Sequence, residues 1–336
     1  MTHDRVTGKT VVVVSSAWSS FVEADAGLLS KAYEVEKVAW RSRYSYPELK
    51  AAVRRTRAVL SWFAGDHAVA AALLAHRWRK PMILISGGAD VANMPEIRYG
   101  AMAGSLKSRL ATRWSLRLSD LVLPFSEFSK QEIRKIHTPR RIEVLPLGVD
   151  VDRFSPAGKK EQVVATVGFI SETNLLRKGH LTFVNAAALL PEAQFVLAGE
   201  PQDDAVEVLK KAVPANVEFP GRMSDQDLLG LYRRAKVYVQ VSAHEGFGLA
   251  VAESMATECI PVVTRRGSLP EVVGDTGRYV DFQDATATAE AVRQVLTLPD
   301  AAGATARQRV IDRFTIQRRA ARLINLVDDM IAGHAD

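Results

Sequence analysis

The stretch from Val237 to Met255, VYVQVSAHEGFGLAVAESM, decides the fold of the second half of this 336-residue chain. Its first five residues form an apolar, β-branched run that predicts a buried strand, and the residues from Leu249 onward predict a helix. Gly246 and Gly248 lie in the turn between them, where glycine lets the backbone come close to a ligand. A buried strand that runs through a short turn into a helix is the repeating unit of a parallel α/β sheet.

Working outward, similar apolar runs recur along the chain and are separated by stretches long enough for helices. The first set comprises Val11–Ser15, Val35–Trp40, Ala58–Trp62, Pro81–Ser86, Leu121–Phe125 and Ile142–Leu147. The second set comprises Val163–Gly168, Gln194–Gly199, Val217–Phe219, Val237–Val241 and Pro261–Thr264. Near-continuous apolar strands that alternate with helices are typical of doubly wound sheets covered on both faces. The sequence therefore predicts two α/β domains.

The boundary between the two predicted domains falls in a stretch near residues 149–160, where Pro156, Gly158 and charged residues interrupt the pattern. We assign residues 1–152 to the first domain and residues 153–310 to the second. Residues 311–336 form a predicted C-terminal helix, with packing against the first domain as one option. The length of the chain suits two such domains.

Composition excludes several classes of protein. The single cysteine, Cys259, cannot form an intramolecular disulfide, a four-cysteine zinc site or an iron–sulfur cluster, and it suits a reducing cytoplasm. The polar start, Met1–Lys9, lacks the apolar core of a signal peptide, which predicts no export. The apolar stretch Ala68–Ala75 is far shorter than the roughly 18 residues that a membrane-spanning helix needs.

Positive charge is concentrated in the first half of the chain. Residues 1–150 hold 23 Lys and Arg against 14 Asp and Glu, whereas the remaining residues hold 21 against 24. Such a field attracts anions such as phosphates, acidic lipid headgroups or nucleic acid. An ordinary solvated basic surface is the alternative, and no RNA motif or recognition helix supports nucleic acid.

Metal-binding patterns find little support. Asp150 and Asp152 have the D-x-D spacing that often holds a divalent metal over a diphosphate. They lie in the segment between the two predicted domains, so we favour a turn over a metal site. His244-Glu245 lacks the second histidine of a zinc helix. We therefore predict no metal site.

The turn after Val241 has the features of a phosphate site. In an open parallel sheet, the carboxyl ends of the strands carry the ligands, and a helix start offers unpaired N–H groups. Glu245 and Glu253, separated by seven residues, could each accept hydrogen bonds from the hydroxyls of a ribose or a sugar. If the neighbouring strand, glycine turn and helix are left out of account, the alternative is that both glutamates are ordinary solvated side chains.

This segment resembles the E-x7-E signature of retaining nucleotide-sugar glycosyltransferases of family 4, which have the GT-B fold. Leu147-Gly148-Val149-Asp150 with Phe154 and Pro156 is similar to their inter-domain motif. Val167-Gly168 and Arg177-Lys178-Gly179 resemble their donor-diphosphate loop. Further similar positions are Val217, Phe219, Gly221, Leu228, Tyr232, Ala235, Pro261-Val262-Val263 and Pro270-Glu271. The resemblance covers the whole second half and is looser in the first.

The resemblance implies a fold and an activity. Two Rossmann-like, doubly wound domains would face a central cleft, with the acceptor on the N-terminal side and the nucleotide sugar on the C-terminal side. The enzyme would move a hexosyl-type sugar from a nucleoside diphosphate to an unknown acceptor with retention, without a metal or cofactor. The single cysteine and the polar start predict a cytoplasmic location, with a peripheral position on the inner membrane face as an option.

The resemblance also implies roles for particular residues. Arg177 and Lys178 would neutralise the donor diphosphate, Glu245 would hold the transferred sugar, and Glu253 would hold the ribose. Met223 is a candidate for the base pocket, with a buried structural methionine as the equal alternative. The remaining donor-binding candidates are Gly168, Gly246, Phe247, Gly248 and Leu249.

The first half departs from the family pattern. Many members carry Gly-Gly after the first strand and a histidine after the strand corresponding to Pro81–Ser86. Here Ser15-Ser16 and Gly87-Gly88-Ala89-Asp90 stand at those places. Asp90 could orient an acceptor hydroxyl or cap the following turn. The acceptor-side candidates are Asp66, His67, Gly87, Gly88, Asp90 and Ser126.

Residues 105–118 predict a basic amphipathic helix. Leu106, Leu110, Trp114 and Leu118 share one face, and Lys107, Arg109, Arg113 and Arg117 lie elsewhere. The helix could lie on an anionic membrane near a lipid-linked acceptor, or it could be an ordinary helix whose apolar face meets the core.

Two other functional classes stay open at this point. A GT-B phosphorylase or a nucleotide-sugar epimerase could use the same fold and diphosphate site. A non-catalytic anion-binding protein could use the basic first half, and would bind with a steep dependence on salt.

Overall fold

The computed structural model describes residues 10–334, which form two compact units. The first unit runs to Leu147 and resumes at Gln317, and the second spans Gly148–Ile316. The prediction made for Met1–Lys9 lies outside the described residues. Each unit is built around its own parallel sheet.

The first unit has five strands and six helices in the part of the chain that the structure describes. The strands are β1 Thr10–Ser15, β2 Glu34–Ala39, β3 Ala58–Trp62, β4 Met82–Ser86 and β5 Leu121–Pro124. The helices are α1 Ser20–Leu29, α2 Tyr46–Arg55, α3 Asp66–Arg77, α4 Leu106–Leu118, α5 Glu127–Ile136 and, after the second unit, α14 Ile316–Ala332. Short 3-10 turns occur at Arg43–Ser45 and Pro95–Ile97.

All strand pairs of the first sheet are parallel, in the order β2-β1-β3-β4-β5. The strand order reverses between β1 and β3, which is where doubly wound sheets open a crevice for ligands. Strands β1, β3, β4 and β5 are almost wholly buried because helices cover both faces of the sheet.

One predicted strand of the first unit is wrong. The segment predicted as a strand over Ile142–Leu147 forms only a single bridge, between Ile142 and Val122 of β5. Pro146 lacks an N–H and stands within this segment, which limits the ladder it can form. The chain nevertheless runs beside β5, since Leu145 N donates to Pro124 O over 2.8 Å.

The second unit has six strands and eight helices among its described residues. The strands are β6 Glu161–Val167, β7 Gln194–Ala198, β8 Val217–Gly221, β9 Ala235–Gln240, β10 Ile260–Thr264 and β11 Arg278–Val280. The helices are α6 Glu172–Arg177, α7 His180–Ala188, α8 Ala205–Ala212, α9 Asp225–Arg234, α10 Leu249–Ala256, α11 Leu269–Val273, α12 Ala285–Leu296 and α13 Ala304–Arg313. A 3-10 turn spans Asp300–Gly303.

The second sheet is also parallel throughout, in the order β8-β7-β6-β9-β10-β11. Its first strand lies in the middle, as in the dinucleotide-binding arrangement, and the order reverses between β6 and β9. The turns that carry Gly168 and Glu245 follow these two strands. The topology therefore brings the two motifs to one point on the carboxyl edge of the sheet.

The last helix, α14, is fixed to the first unit by buried polar contacts. The guanidinium of Arg319 meets both carboxylate oxygens of Asp25 over 2.6 Å, and both side chains are buried. Arg319 also donates to the carbonyls of Leu145 and Pro146, and the Tyr33 hydroxyl donates to Asp328 over 2.8 Å. Two-point contacts of this kind fix the orientation of the helix as well as its position.

Across residues 10–334, no helix combines the length and the apolar character that crossing a membrane requires.

Candidate active site

The turn between β9 and α10 holds Glu245 in a fixed position. Its side chain is only 9% exposed, and Oε1 accepts hydrogen bonds from Lys178 Nζ over 2.7 Å and from Ser242 Oγ over 3.0 Å. The amide of Gln240 adds a longer contact of 3.4 Å to the same oxygen. One carboxylate oxygen therefore has three side-chain partners.

The second carboxylate oxygen of Glu245 differs sharply from the first. The side-chain hydrogen bonds and ion pairs of this carboxylate within residues 10–334 all use Oε1, and none uses Oε2. An oxygen with open lone pairs on an otherwise immobilised carboxylate is a ready acceptor for a ligand hydroxyl.

Arg177 and Lys178 reach Glu245 because of a close approach between two loops. Gly179 has a φ of +76°, and a Cβ there would lie 2.4 Å from the carbonyl oxygen of Val241. Only glycine fits this position, so the loop after α6 can lie against the end of β9. Ala243 N then donates to Arg177 O over 2.8 Å and fixes the register of the two loops.

The charges in this cluster are one anion and two cations. Arg177 Nη1 lies 3.9 Å from Glu245 Oε1, and the Arg177 and Lys178 side chains are 11% and 17% exposed. Burial raises the pKa of Glu245, but the two cations outweigh burial and the net pKa lies below the usual value. Burial also lowers the pKa of Lys178, while Glu245 opposes that change. Each member of the pair stabilises the charged form of the other.

The loop after β10 supports the Glu245 backbone from the other side. Ser268 donates from its N and its Oγ to Glu245 O, each over 3.0 Å. Gly267 has a φ of +62°, and a Cβ there would lie 2.6 Å from that same carbonyl oxygen. The close packing of this loop limits the backbone movement of Glu245.

Glu253 lies in the second turn of α10, in a different environment. Burial raises its pKa to about 8, and Asp225 adds to the rise while Arg153 opposes it. Arg153 and Asp225 pair with each other over 2.8 Å. Glu253 therefore keeps its proton to a higher pH than Glu245 does.

The structure brings most of the predicted donor residues together. Gly168 lies beside Lys178, since a Cβ on Gly168 would be 3.6 Å from Lys178 Cε. Gly246, Phe247, Gly248 and Leu249 form the turn and the first residue of α10. The Phe247 ring is buried against Phe314, with a centroid distance of 5.4 Å, so this residue faces a ligand only with its backbone.

Met223 lies at a different place along the carboxyl edge of the second sheet from Glu245. It lies in the loop between β8 and α9, at the carboxyl end of an edge strand. Two strands, β6 and β7, separate β8 from β9 in the sheet.

Sequence reasoning missed three polar residues of this site. Gln240 and Ser242 donate to Glu245, and Gln240 in turn accepts a hydrogen bond from the Tyr238 hydroxyl over 3.2 Å. A glutamine within the apolar run VYVQV was the available signal. His180 follows the Lys178-Gly179 pair, is fully buried, and has no hydrogen-bond partner within residues 10–334 on either ring nitrogen. Burial beside Lys178 and Arg177 lowers its pKa to about 3, so it is neutral.

Asp90 organises the carboxyl edge of the first sheet. Its Oδ2 accepts from Ala64 N over 2.9 Å and from Ser86 Oγ over 2.6 Å. Its Oδ1 accepts from Gly88 N over 2.8 Å and from Gly87 N over 3.3 Å. The carboxylate thus ties the loop after β3 to the loop after β4, and an acceptor-orienting role for it stays a prediction.

The other acceptor-side candidates lie at the same edge. Ser126 caps α5 by accepting from Ser129 N, and the Ser129 hydroxyl donates to Gly87 O over 2.8 Å. His67 is buried, and its Nε2 contacts the carbonyl of Trp62 over 2.8 Å. Burial lowers its pKa and outweighs this carbonyl and the nearby carboxylates. Asp66 is more than half exposed and begins α3.

The D-x-D spacing in the linker forms a turn. Asp150 Oδ1 accepts from the backbone N–H groups of Asp152 and Arg153 over 3.2 and 3.1 Å. An aspartate that binds the amides two and three residues ahead is a common turn stabiliser.

Comparison with known proteins identifies the family. The sequence model described as "Glycosyl transferases group 1" matches residues 151–312, and the one described as "Glycosyltransferase Family 4" matches residues 7–153. The two matches meet in the linker and together cover nearly the whole chain. The chain belongs to glycosyltransferase family 4.

Curated relatives match part of the chain. The GDP-mannose-dependent alpha-(1-6)-phosphatidylinositol dimannoside mannosyltransferase of Mycobacterium tuberculosis (strain ATCC 25177 / H37Ra) is 31% identical over 219 residues, or 61% of this chain and 56% of that protein. The D-inositol 3-phosphate glycosyltransferase of Mycobacterium sp. (strain KMS) is 29% identical over 202 residues, or 53% and 45%. The matched stretch spans about half the length of these relatives.

Solved structures share the fold at low sequence identity. The sucrose-phosphate synthase of Thermosynechococcus elongatus aligns over 97% of this chain and all of its own, with a TM-score of 0.79 and 18% identity. Anabaena Alr3699/HepE in complex with UDP and glucose aligns over 96% of this chain and all of its own, with a TM-score of 0.80 and 15% identity. These likenesses and the two parallel sheets confirm the predicted GT-B fold.

Proposed function

We propose that the protein is a retaining glycosyltransferase that moves a hexosyl sugar from a nucleoside diphosphate to an acceptor hydroxyl, without a metal ion or cofactor. The observation that carries the proposal is the buried Lys178–Glu245 pair beside Arg177, located where the strand order of the second sheet reverses. Family membership supports the same reaction class.

The two cations suit a leaving diphosphate. Arg177 and Lys178 place two cations side by side in a site with little solvent exposure. Fixed charges in such a site stabilise developing negative charge more strongly than they would in water. The N–H groups at the start of α10 add further donors for phosphate oxygens. These groups would supply the charge stabilisation for which other enzymes use a divalent cation.

The two glutamates divide the rest of the donor between them. Glu245 would present Oε2 to a hydroxyl of the transferred sugar, since Oε1 is held by Lys178, Ser242 and Gln240. Glu253, in the second turn of α10, would accept from the ribose hydroxyls once it is ionised. The residue types and their order along the chain support this division.

The proposed reaction needs no protein nucleophile. The bond between the sugar C1 and the diphosphate oxygen breaks, and a bond between C1 and the acceptor oxygen forms on the same face of the sugar. The acceptor proton passes to the phosphate oxygen that departs. The protein's part is to hold the diphosphate and the sugar in position.

The relatives and structural neighbours support a donor class. One relative's name specifies GDP-mannose, and solved neighbours are described in complex with UDP or UDP-glucose. A nucleotide sugar is therefore the proposed donor, and a hydroxylated compound the proposed acceptor. Cys259, which is buried and reduced, suits a cytoplasmic location.

A thermal-shift screen tests the donor site. UDP, GDP, dTDP, ADP and their sugars are each added to the purified protein, and a ligand that binds the folded state raises its apparent stability. We expect one nucleotide series to raise Tm by several degrees. Product analysis with and without free phosphate then separates transfer from phosphorolysis and epimerisation.

Variants give this test its control. Lys178→Ala should abolish the nucleotide-dependent shift and lower turnover about 100- to 1,000-fold, as expected for the loss of one charge-stabilising group. The control is Lys210→Ala, which removes a lysine of the same unit that is half-exposed and pairs with Glu207. Equal nucleotide binding and turnover in both variants would refute the assignment.

A further inference from the structure

Helix α4 attaches to the first unit through its polar face. Its buried residues are Thr112, Ser115 and Leu116. The Thr112 hydroxyl donates to Asp90 O over 3.1 Å, and the Ser115 hydroxyl donates to Gly65 O over 3.0 Å. The side of the helix that meets the protein is therefore formed largely by hydroxyl groups.

Three of the five large apolar residues of α4 point the other way. Leu106, Leu110 and Trp114 are 67%, 43% and 49% exposed, and together with Val69 and Ala111 they line a shallow groove. A helix of a globular protein normally turns its leucines and tryptophans inward. The alternative prediction, that the apolar face of this helix meets the core, is therefore wrong for Leu106, Leu110 and Trp114. It holds for Leu118, which packs against the core at the end of the helix.

The same helix carries only positive charge. Lys107, Arg109, Arg113 and Arg117 are all exposed, and the thirteen residues of α4 include no Asp or Glu. One carboxylate, that of Asp66, borders the groove. The helix thus combines exposed leucines and tryptophan with four cations.

The positive surface continues beyond the C-terminal end of α4. The Arg117 guanidinium lies 5.8 Å from the centre of the Trp114 ring. Arg117 also lines a second depression, together with Arg140, His76 and His137. The carboxylate there, that of Asp120, already accepts a hydrogen bond from Met82 N over 2.8 Å.

We propose that α4 docks on an anionic lipid bilayer. Leu106, Leu110 and Trp114 enter the boundary between headgroups and acyl chains, and the four cations contact the lipid phosphates. Interfacial helices have this combination of leucine and tryptophan with lysine and arginine, and tryptophan favours that depth of a bilayer.

A second copy of this chain fits the surface less well. In a twofold dimer the same patch meets itself, so eight cations of two helices would face one another. A bilayer instead offers apolar chains and phosphates side by side. Contacts of Thr112 and Ser115 with loop carbonyls hold the helix in place, so the surface is formed before any lipid binds.

A vesicle sedimentation experiment tests the proposal and needs neither donor nor acceptor. The purified protein is mixed with vesicles of phosphatidylcholine alone or of phosphatidylcholine with about 30% phosphatidylglycerol, at low and at high salt. We expect binding to the anionic vesicles at low salt and its loss at high salt. Each cation removed should weaken binding about fivefold, the effect expected for one basic residue at an anionic surface.

Two variants of the helix and one control complete the design. Arg109→Gln/Arg113→Gln should weaken vesicle binding about 25-fold, and Leu106→Ser/Trp114→Ser should also weaken it at unchanged charge. Lys50→Gln/Arg54→Gln removes two exposed cations from α2 and should have a much smaller effect. The proposal would be refuted if the wild type did not bind anionic vesicles or if all variants bound them equally well. Self-association of the protein without vesicle binding would refute it too. The nucleotide-dependent thermal shift should persist in every variant, which separates this test from that of the donor site.

Discussion

The carboxyl edges of the two sheets each hold a buried carboxylate, but the partners of the two carboxylates differ. Glu245 in the second unit is held through one oxygen by a lysine and two neutral side chains, and its other oxygen has no side-chain partner within residues 10–334. Asp90 in the first unit uses both oxygens, mainly on backbone amides. Glu245 therefore keeps capacity for a ligand, whereas Asp90 primarily shapes its loops.

The largest effect is expected from breaking the Lys178–Glu245 pair. Lys178→Met leaves Glu245 buried without its closest cation and should destabilise the protein by about 3–5 kcal/mol, besides abolishing turnover. The double variant Lys178→Met/Glu245→Gln should recover most of that stability and remain inactive. Urea unfolding and a turnover assay measure the two properties. Recovery of activity together with stability would show that the pair is purely structural.

An intermediate effect is expected at Asp90. Asp90→Ala leaves three amides and one hydroxyl without their acceptor and should lower the free energy of unfolding by about 2–4 kcal/mol. Nucleotide binding should be unchanged, because the donor residues belong to the other unit. Urea unfolding and calorimetric titration with the nucleotide check both points. A stable Asp90→Ala variant that had lost acceptor turnover alone would instead give Asp90 a direct role.

At pH 6 the smallest of the three effects is expected at Glu253, and its size depends on pH. Its pKa is near 8 in the folded protein and near 4.5 in the unfolded chain, so the folded state binds the extra proton between these values. The free energy of unfolding should therefore fall by about 1.4 kcal/mol for each pH unit across that window. Glu253→Gln lacks this loss and should be about 2 kcal/mol more stable than the wild type at pH 6.

Unfolding experiments from pH 4.5 to 8 check the Glu253 prediction. The exposed Glu207→Gln serves as the matched control. A constant difference between Glu253→Gln and the wild type across that range would contradict the buried, protonated state. Above pH 8, where wild-type Glu253 is ionised, Glu253→Gln should also bind nucleotide more weakly, because the ribose hydroxyls lose a carboxylate.

Most of the fold could be predicted from the sequence because buried parallel strands are continuous apolar runs. Ten of the strands described for residues 10–334 coincide with such runs to within two residues at either end. Strand β11, Arg278–Val280, was missed because three residues with a charged start carry no periodic signal. The periodicity of α4 correctly predicts an amphipathic helix. Whether its apolar face points to the core or to solvent depends on which face packs against α3, and periodicity does not contain that information.

The two sites differed in how far they could be predicted. Lys178 and Glu245 lie in short motifs whose charged residues already predict binding of a diphosphate and of hydroxyl groups. The partners of Asp90 are backbone amides, among them that of Ala64, which lies 26 residues earlier in the chain. Every residue type except proline has a backbone amide, so these partners cannot be recognised in the sequence. The residues around Asp90 therefore could not decide between a capping role and an acceptor-orienting role. The place of His180 beside the site depends on the loop geometry that Gly179 permits.

The buried contact between Arg319 and Asp25 has a consequence for synthesis of the chain. Nearly 300 residues separate the two partners, and the whole second unit lies between them. A ribosome completes the second unit before it produces α14, so the first unit waits with Asp25 unpaired while its neighbour can already fold. We would expect nascent chains stalled before Arg319 to hold a protease-resistant second unit and a first unit that is still digestible.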